Sequence, residues 1–451
     1  MKIILSNELK VEQAPGTLLR ELRDKLTIKN PAYLDALKMG RWTGNLDEYL
    51  SFFRLREKAM ILPRGFTGQL IAMTRRAGIP YQLIDNRRVL PEVDFTFAGK
   101  LRDFQGVAVA EMLKKDFGTL SAATGSGKTI MALKIIAQRR QPTLIIVHTK
   151  ELLDQWVERI GTYLDIPKKE IGIIGNGKKL IGEKITVGIV NSIYPMARQI
   201  KERISHLVID ECHRTPSRTF TEAVSAFDCR YMLGLSATPW RRDGLSKLIF
   251  WHVGDVCHEV DKAALQESGD ILKAEVISRE TDFLPWCDPS TEYSKMLSEL
   301  CNDPGRNTLI CKDIIKEASN GSGIILALSD RKSHCDTLGA MLRRNGVYPD
   351  ILTGDTVNGE RKAIVERLNN GDVRVLIATG QLIGEGFDCK ALTTLFLTTP
   401  IKFSGRVLQY VGRVLRPAPG KERATVYDYL DKCVPVLAAS ARARQRVYCH
   451  D

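Results

Sequence analysis

One glycine-rich stretch, A-A-T-G-S-G-K-T at residues 122–129, constrains the fold of this chain more than any other feature. It follows a short apolar run that ends at Leu120 and precedes a segment with helical character, 130–139. Glycines at 125 and 127 allow successive backbone N–H groups to converge on phosphate oxygens. The stretch therefore predicts a strand, a phosphate-binding loop and a helix whose N-terminus faces an anion.

Two side chains of this loop suit a nucleotide triphosphate. Lys128 brings a positive charge to the terminal phosphates, and Thr129 brings a hydroxyl that binds Mg²⁺. The strict form of the pattern begins with glycine, whereas Ala122 stands there in this chain. The alternative is a chance glycine turn with a solvated lysine. The residues predicted to contact phosphate are Thr124, Gly125, Ser126, Gly127, Lys128 and Thr129.

A second stretch, L-V-I-D-E-C-H at 207–213, reads as an apolar strand that ends in two carboxylates. Ligands of parallel sheets bind at the carboxyl ends of the strands. Asp210 is placed to hold Mg²⁺ opposite Thr129, and Glu211 to orient and deprotonate an attacking water. An ordinary acidic turn at the end of a strand is the alternative interpretation.

Short apolar runs alternate with helical segments in two parts of the chain, a pattern typical of parallel sheets covered by helices. The runs lie at 144–147, 185–190, 207–209, 232–235, 324–328, 375–377 and 395–397. The predicted helices of these parts include 150–159, 333–344, 361–368 and 405–414. We predict an α/β chain with two tandem parallel-sheet domains, 99–256 and 257–451, preceded by a small α+β domain, 1–98.

The leading segment, residues 1–98, is predicted to contain strands at 2–5, 9–12, 81–84 and 93–97 and helices at 18–26 and 67–77. It carries 16 Lys and Arg against 11 Asp and Glu, a net charge of +5. Basic and aromatic residues alternate in it, at Arg41-Trp42, 52–54, Arg64 and Arg75-Arg76. Such residues contact phosphates and stack on bases, although they also suit an apolar core with a solvated face.

The net charge of +13 and the pI near 9.2 favour a polyanionic partner, nucleic acid before membrane. All ten cysteines lie at or after Cys212 without metal-binding spacing, which is typical of thiols in a reducing compartment. No apolar run is long enough to span a membrane, and the N-terminus lacks the pattern of a signal peptide. We therefore expect a cytoplasmic or nucleoid-associated protein.

Several motifs of this chain resemble those of the superfamily 2 helicases, and they occur along the chain in the order that is typical of that family. G-S-G-K-T and D-E-C-H resemble motifs I and II, and 101–105, with Arg102 and Gln105, resembles the segment that reads adenine. Further matches are 148–152 with Gln155 to motif Ia, 236–238 to motif III, 378–388 with Gly386 and Asp388 to motif V, and 409–416 with Gln409, Arg413 and Arg416 to motif VI.

The resemblance implies two RecA-like domains that share one site for ATP and Mg²⁺. Arg413 and Arg416 of the second domain would stabilise the charge of the transition state across a cleft, so that hydrolysis drives domain movement. The basic leading segment resembles the XPB/UvsW/RadD-like branch of DNA enzymes. In that branch an Arg-Glu-Asp element follows motif III, and this chain has Arg241-Arg242-Asp243 there, with Arg in place of Glu.

We therefore predict an ATP-dependent DNA helicase or double-stranded DNA translocase, a monomeric motor that acts on branched or forked DNA in repair or recombination. An RNA helicase is the alternative within the same enzyme class. A nucleic-acid-binding switch that binds ATP with little turnover is the alternative from another class. Every motif lies after residue 98, so a chain shortened to 99–451 is expected to retain its own ATP site.

Overall fold

The computed structural model describes the chain except for residues 39, 41, 215–217, 238–244, 322, 381–388, 390, 402–409, 413, 416, 419–420, 422 and 450–451. Of residues 38, 214, 218, 262, 358 and 446–449 it describes the backbone only. The chain divides into two compact units. The first contains residues 1–122 and 127–260, and the second contains residues 123–126 and 261–451.

The leading segment folds around a five-stranded sheet with strand order β5-β6-β2-β1-β7. The strands of the segment are β1 (Lys2–Leu5), β2 (Glu8–Glu12), β3 (Thr27–Lys29), β4 (Tyr49–Ser51), β5 (Arg54–Arg56), β6 (Ala59–Pro63) and β7 (Gln82–Asp85), of which β3 and β4 form a separate two-stranded sheet. Its helices are α1 (Gly16–Lys25), α2 (Pro31–Lys38) and α3 (Thr67–Arg76). The predicted pairing of the first two strands is confirmed, since β1 and β2 are antiparallel.

The remainder of the first unit is an eight-stranded sheet flanked by helices, in the order β11-β10-β12-β9-β13-β14-β8-β15. Its strands are β8 (Phe117–Ser121), β9 (Thr143–Val147), β10 (Gly172–Gly175), β11 (Lys178–Leu180), β12 (Ile185–Ile189), β13 (His206–Ile209), β14 (Tyr231–Ser236) and β15 (Val256–Glu259). Its helices are α4 (Asp103–Leu113), α5 (Lys128–Arg139), α6 (Lys150–Leu164), α7 (Val190–Ile193), α8 (Ala197–Ile200), α9 (Arg218–Ser225) and α10 (Ser246–Val253). All its neighbouring strands are parallel except β10 and β11.

The second unit contains a six-stranded parallel sheet in the order β16-β21-β20-β17-β19-β18. Its strands are β16 (Ala274–Thr281), β17 (Ile324–Ser329), β18 (Asp350–Leu352), β19 (Val375–Thr379), β20 (Leu392–Leu397) and β21 (Ala424–Asp431). Its helices are α11 (Lys262–Glu267), α12 (Tyr293–Asn302), α13 (Pro304–Asn320), α14 (Lys332–Arg344), α15 (Asn358–Asn370) and α16 (Pro435–Cys449). The predicted helix 405–414 lies mostly outside the described residues.

The observed fold confirms the predicted α/β class with two parallel-sheet domains behind a small α+β domain. Every residue of β9 and of β17 is buried, as expected for central strands covered by helices on both faces. The parallel arrangement brings the carboxyl ends of β8, β9, β13 and β14 to one edge of the first sheet. That edge is where the sequence places the candidate site.

The leading segment and the eight-stranded sheet share one hydrophobic core. Leu248 and Trp251 of α10 pack in the same cluster as Phe66 and Leu70 of the leading segment. The Trp251 ring lies 5.4 Å from the ring of Phe52, measured between centroids. The two parts of the first unit are therefore joined by apolar burial rather than by a flexible connection.

Arg64 contradicts its predicted role as a nucleic-acid contact. Its side chain is only 3% exposed, and its guanidinium Nη1 donates to the carbonyl of Cys229 at 2.7 Å. The turn that begins at Arg64 lies against α10, so this arginine connects the leading segment to the rest of the first unit. A buried guanidinium cannot reach a phosphate of DNA. The charge of Arg64 is instead stabilised inside the unit by the backbone carbonyl that accepts its hydrogen bond.

The segment from Asp85 to Ala98 is extended along the first unit, and the strand predicted at 93–97 is wrong. The backbone N–H of Val93 donates to the carbonyl of Arg140 and that of Ala98 to the carbonyl of Tyr163, and no strand is formed at residues 93–97. Ion pairs hold its first part: Arg87 with Asp85 and Asp116, each at 2.7 Å, and Arg88 with Asp228 at 3.0 Å. Alternating apolar residues therefore mark contact with neighbouring helices here, not strand pairing.

Candidate nucleotide site

The glycine-rich loop joins β8 to α5, as the sequence predicts. Gly125 and Gly127 have φ angles of +93° and +87°, in the left-handed region that favours glycine. Lys128 is the first residue of α5 and Thr129 the second. The ammonium Nζ of Lys128 donates to the carbonyl of Ala122 at 2.9 Å, so the lysine folds back along its own loop. The loop thus has the backbone shape of an anion cradle with a cation at its mouth.

Gln105 lies against this loop. Its side chain is 6% exposed, and its Oε1 accepts from the backbone N–H of Arg102 at 3.0 Å, which fixes the start of α4. Its amide nitrogen occupies the space where a Cβ of residue 127 would lie, so only glycine fits there. The structure thus brings together two parts of the predicted site, Gln105 and the phosphate loop.

Asp210 and Glu211 follow the last residue of β13, and β14 alone separates β13 from β8 in the sheet. Asp210 is 8% exposed, and its Oδ1 accepts from the backbone N–H of Glu211 at 3.0 Å. Burial, then the neighbouring charge of Glu211, raises the pKa of Asp210 to about 6, although the Lys128 ammonium opposes this shift. The two carboxylates therefore form a concentration of negative charge that a divalent cation would relieve.

His213 connects the two central strands of the site. Its Nδ1 lies 3.2 Å from Oγ of Ser236 and 3.2 Å from Oε2 of Glu211. Ser236 is the last residue of β14 and is fully buried. The stretch around Asp210 and Glu211 is therefore held to the neighbouring strand by side chains.

The residues of this edge fit a nucleotide phosphate with Mg²⁺. Mg²⁺ usually binds one or two protein oxygens and completes its shell with water and substrate phosphates. Asp210 and the hydroxyl of Thr129 are such oxygens. Among the described residues, no group of three or more His, Cys, Asp or Glu side chains could hold a metal, so a cage made of protein ligands alone is not found there.

Five predicted site residues lie outside the described part of the chain: Gly386, Asp388, Gln409, Arg413 and Arg416. Thr238 of the third motif and Arg241-Arg242-Asp243 also lie there. Some residues close to them in the sequence are described. Tyr410, for example, is buried and its hydroxyl donates to the carbonyl of Gly380 at 2.7 Å.

Trp156 belongs to the candidate site, although the sequence interpretation missed it. It lies on the buried face of α6, and its indole Nε1 donates to Oδ2 of Asp210 at 2.8 Å. The sequence shows Trp156 at helical spacing with Leu153 and Ile160, a pattern that indicates only a core position. Its polar partner depends on the packing of α6 beside β13, which no local pattern reveals.

Within the described ranges, no helix combines the length and the apolar composition needed to cross a membrane.

Two protein-family models match the chain. The model described as "Type III restriction enzyme, res subunit" matches residues 98–241, and the model "Helicase conserved C-terminal domain" matches residues 306–418. Together these matches span more than half of the chain. They cover the glycine-rich loop, the Asp210–Glu211 pair and the strands β17, β18, β19 and β20 of the second sheet.

Known proteins resemble the chain over most of its length. DNA 3'-5' translocase XPB2 of Sulfurisphaera tokodaii is 27% identical over 359 residues, which cover 70% of this chain and 79% of that protein. ATP-dependent DNA helicase uvsW of Enterobacteria phage T4 is 23% identical, covering 95% of this chain and 90% of its own. The solved structure of S. cerevisiae Dbp5 bound to RNA and ADP BeF3 matches with a TM-score of 0.57 at 15% identity, covering 77% and 88% of the two chains. This structural likeness shows a shared RecA-like fold.

Proposed function

We propose, from the premise that the chain belongs to the superfamily 2 helicases, that it hydrolyses ATP to move along or unwind DNA, with branched or forked DNA as its substrate. Membership of this family establishes the coarser activity, an ATP-dependent motor on nucleic acid. The choice of DNA, the preference for forks, a role in repair or recombination, and action as a monomer are proposals.

The observation that carries the proposal is the shared edge of the first sheet. The phosphate loop follows β8 and the Asp210–Glu211 pair follows β13, so both lie at the same edge of the sheet. The Lys128 ammonium is close enough to Asp210 to favour the charged form of its carboxylate. Bound Mg²⁺ would supply positive charge to the phosphates of ATP. In the proposed mechanism Lys128 and the loop amides hold the phosphates, Thr129 and Asp210 hold the metal, and Glu211 takes a proton from the attacking water.

The remaining roles rest on the resemblance. Gln105, together with Arg102, would read the adenine edge, and its place beside Gly127 supports this. Gly386 and Asp388 would contribute to nucleotide binding from the second unit. Gln409, Arg413 and Arg416 would act on the transferring phosphoryl group, because a planar guanidinium matches charge spread over several oxygens.

Two kinds of observation support DNA over RNA. XPB2 and uvsW are named as DNA enzymes, and the chain carries a basic leading segment. Several basic and apolar side chains of that segment are exposed: Trp42 (76% exposed), Tyr49, Leu55, Arg56, Lys58 and Arg75. An RNA helicase is the second candidate, since Dbp5, whose fold is similar, was solved with RNA.

An ATPase assay of the full chain at fixed salt tests the proposal. Single-stranded DNA, duplex DNA, forked DNA and RNA are compared as effectors, because nucleic-acid affinity falls steeply with salt. We expect the largest stimulation with forked DNA and none in Lys128→Ala, which lacks the loop cation. Lys134→Ala, on the same helix with its ammonium over the ring of Phe97, is the matched control and should behave as wild type. Stimulation by RNA alone would favour the second candidate, and an absence of turnover with every effector would favour an ATP-binding switch.

A further inference from the structure

A buried tryptophan holds the carboxylate that faces the proposed metal. Trp156 is 2% exposed, and its indole N–H donates to Oδ2 of Asp210 at 2.8 Å. The same helix buries Leu153, Val157 and Ile160, so the indole has little freedom to move. The donor of this hydrogen bond therefore comes from a rigid part of the first unit.

The carboxylate of Asp210 is held through both of its oxygens. Trp156 donates to Oδ2, and the backbone N–H of Glu211 donates to Oδ1 at 3.0 Å. Two donors on different oxygens prevent the carboxylate from rotating about its bond to Cβ. Each oxygen retains a second lone pair, so the held carboxylate can still bind a cation.

The chemical nature of the donor matters. An arginine or lysine at this place would orient the carboxylate equally well, but its positive charge would repel Mg²⁺. The indole N–H is neutral and cannot accept a hydrogen bond. It therefore fixes the direction of the carboxylate and leaves its negative charge available to the metal.

We propose that Trp156 is the positioning residue of the Mg²⁺ site, and that its indole N–H sets the orientation in which Asp210 binds the metal. This inference rests on the proposed function, because it assigns Mg²⁺ to Asp210. Outer partners that orient metal ligands typically change metal affinity about 10- to 100-fold when they are removed. The rival explanation is a core tryptophan whose N–H needs some acceptor and whose loss affects stability only.

Equilibrium binding of a fluorescent ATP analogue, measured over a series of Mg²⁺ concentrations, separates the two explanations without any turnover. In Trp156→Phe the Mg²⁺ concentration for half-maximal binding should rise about tenfold, and binding without Mg²⁺ should stay unchanged. Trp251→Phe is the matched control. That tryptophan is 3% exposed in the same unit and packs on Phe52 and Phe66, so the same substitution should leave the Mg²⁺ dependence unaltered.

A second variant keeps the test decisive if Trp156→Phe does not fold. Replacing Trp156 by 3-benzothienylalanine exchanges the ring N–H for sulfur and keeps the size and shape of the side chain. This variant should fold as the wild type and show the same shift in Mg²⁺ dependence.

An unchanged Mg²⁺ dependence in both Trp156 variants, or an equal shift in Trp251→Phe, would overturn the inference and leave the proposed function intact. A wild-type chain whose nucleotide binding ignores Mg²⁺ would instead overturn the metal assignment itself, and the inference with it.

Discussion

Glu211 has an unusual backbone for a non-glycine residue, with a φ angle of +51°. A side chain in the left-handed region costs free energy, and such positions are common at functional sites. Oε2 of Glu211 lies 3.2 Å from Nδ1 of His213, whereas Oδ2 of Asp210 accepts from Nε1 of Trp156, so the two adjacent acids contact different side chains.

Glu211→Gln should bind ATP but hydrolyse it at least about a hundredfold more slowly, because an amide cannot accept the proton of water. The measurement is single-turnover hydrolysis with nucleotide binding determined in parallel. Glu222→Gln is the control, since it removes the same charge from an exposed position on helix α9 of the same unit. Near-normal turnover in Glu211→Gln would assign the base to another residue.

His334 of the second unit is a buried neutral imidazole. It is 1% exposed, its Nδ1 lies 3.0 Å from Oγ of Ser329, and its Nε2 lies 2.9 Å from Oδ1 of Asn307. Burial, and secondarily the charge of Arg306, lowers the pKa of His334 to about 3 from its ordinary 6.5. Between about pH 6.5 and pH 3, His334 therefore binds a proton in the unfolded chain but not in the folded chain.

The stability of the second unit should consequently fall as the pH drops from about 6.5 towards 3, by up to about 1.4 kcal/mol per pH unit from this group. His334→Gln should flatten that dependence, as measured by thermal unfolding across the pH range. His258→Gln, at a half-buried histidine of the first unit, is the control for the loss of a histidine elsewhere in the chain. An unaltered slope in His334→Gln would mean that other groups govern the acid sensitivity.

At the level of single residues, sequence predicts those whose role is local. The phosphate loop, Gln105 and the Asp210–Glu211 pair were predictable because each depends on a few consecutive residues and on the end of a strand. Arg64 and Trp156 were not, because their partners, Cys229 and Asp210, lie far away in the sequence. An arginine beside glycine and phenylalanine looks the same in sequence whether it meets solvent or a carbonyl.

Among the elements, the turn at Arg64–Phe66 brings the backbone of the leading segment close to the end of α10. A Cβ at Gly65 would lie 2.7 Å from the carbonyl oxygen of Trp251 and 2.7 Å from the nitrogen of Gly254. Neither atom can move without displacing the end of α10. Glycine is therefore required at position 65 because a Cβ would clash with the backbone at the end of α10, and not because its φ angle demands glycine.

Gly65→Ala should lower the free energy of unfolding of the first unit by about 1–3 kcal/mol through overpacking. Gly106→Ala on α4, where nothing lies within 4 Å of the new Cβ, should instead stabilise the helix by up to about 1 kcal/mol. Chemical denaturation of both variants measures the contrast. An unchanged free energy of unfolding in Gly65→Ala would show that the turn can move away from α10.

Whole elements were predicted best where hydrophobic periodicity was strong. The buried strands β9, β13, β14 and β17 were predicted within one or two residues, because helices on both faces demand continuous apolar runs. The strand expected at 93–97 failed because alternation records which side chains are buried, not whether a neighbouring strand supplies hydrogen bonds. That segment packs on helices instead, with the ring of Phe97 beneath the Lys134 ammonium.

For the molecule as a whole, the structure changes the role expected of the leading segment, because much of it packs on the rest of the first unit. Arg64 donates to a backbone carbonyl of the first unit, and Arg87 and Arg88 form ion pairs within it. Part of the net charge of +5 is therefore not available to DNA. A chain shortened to 99–451 would also expose Leu248 and Trp251, which the leading segment covers. We therefore expect that shortened chain to lose stability, although every motif of the predicted ATP site lies within it, and a loss of DNA binding in it would not distinguish lost contacts from partial unfolding.

Charge neutralisation in the full chain is the sharper experiment. Arg54, Arg56 and Lys58 are exposed at β5 and the turn that follows it, and Arg54 pairs with the half-exposed Glu8. Replacing all three by Gln should leave thermal stability nearly unchanged, because exposed ion pairs contribute about 0–1 kcal/mol. If they contact phosphates, the salt dependence of binding to forked DNA should flatten by about 0.9 in logarithmic slope for each lost contact.

The control carries the same loss of charge elsewhere on the first unit, at the exposed Lys168, Lys169 and Lys178 near the edge strand β11. A flattened slope and a reduced preference for forks over duplex in the leading-segment variant alone would support a role in gripping DNA. Equal changes in both variants would make the leading segment one part of a generally basic surface. Unchanged binding in the leading-segment variant would leave it as a brace for the first unit, in agreement with its shared core.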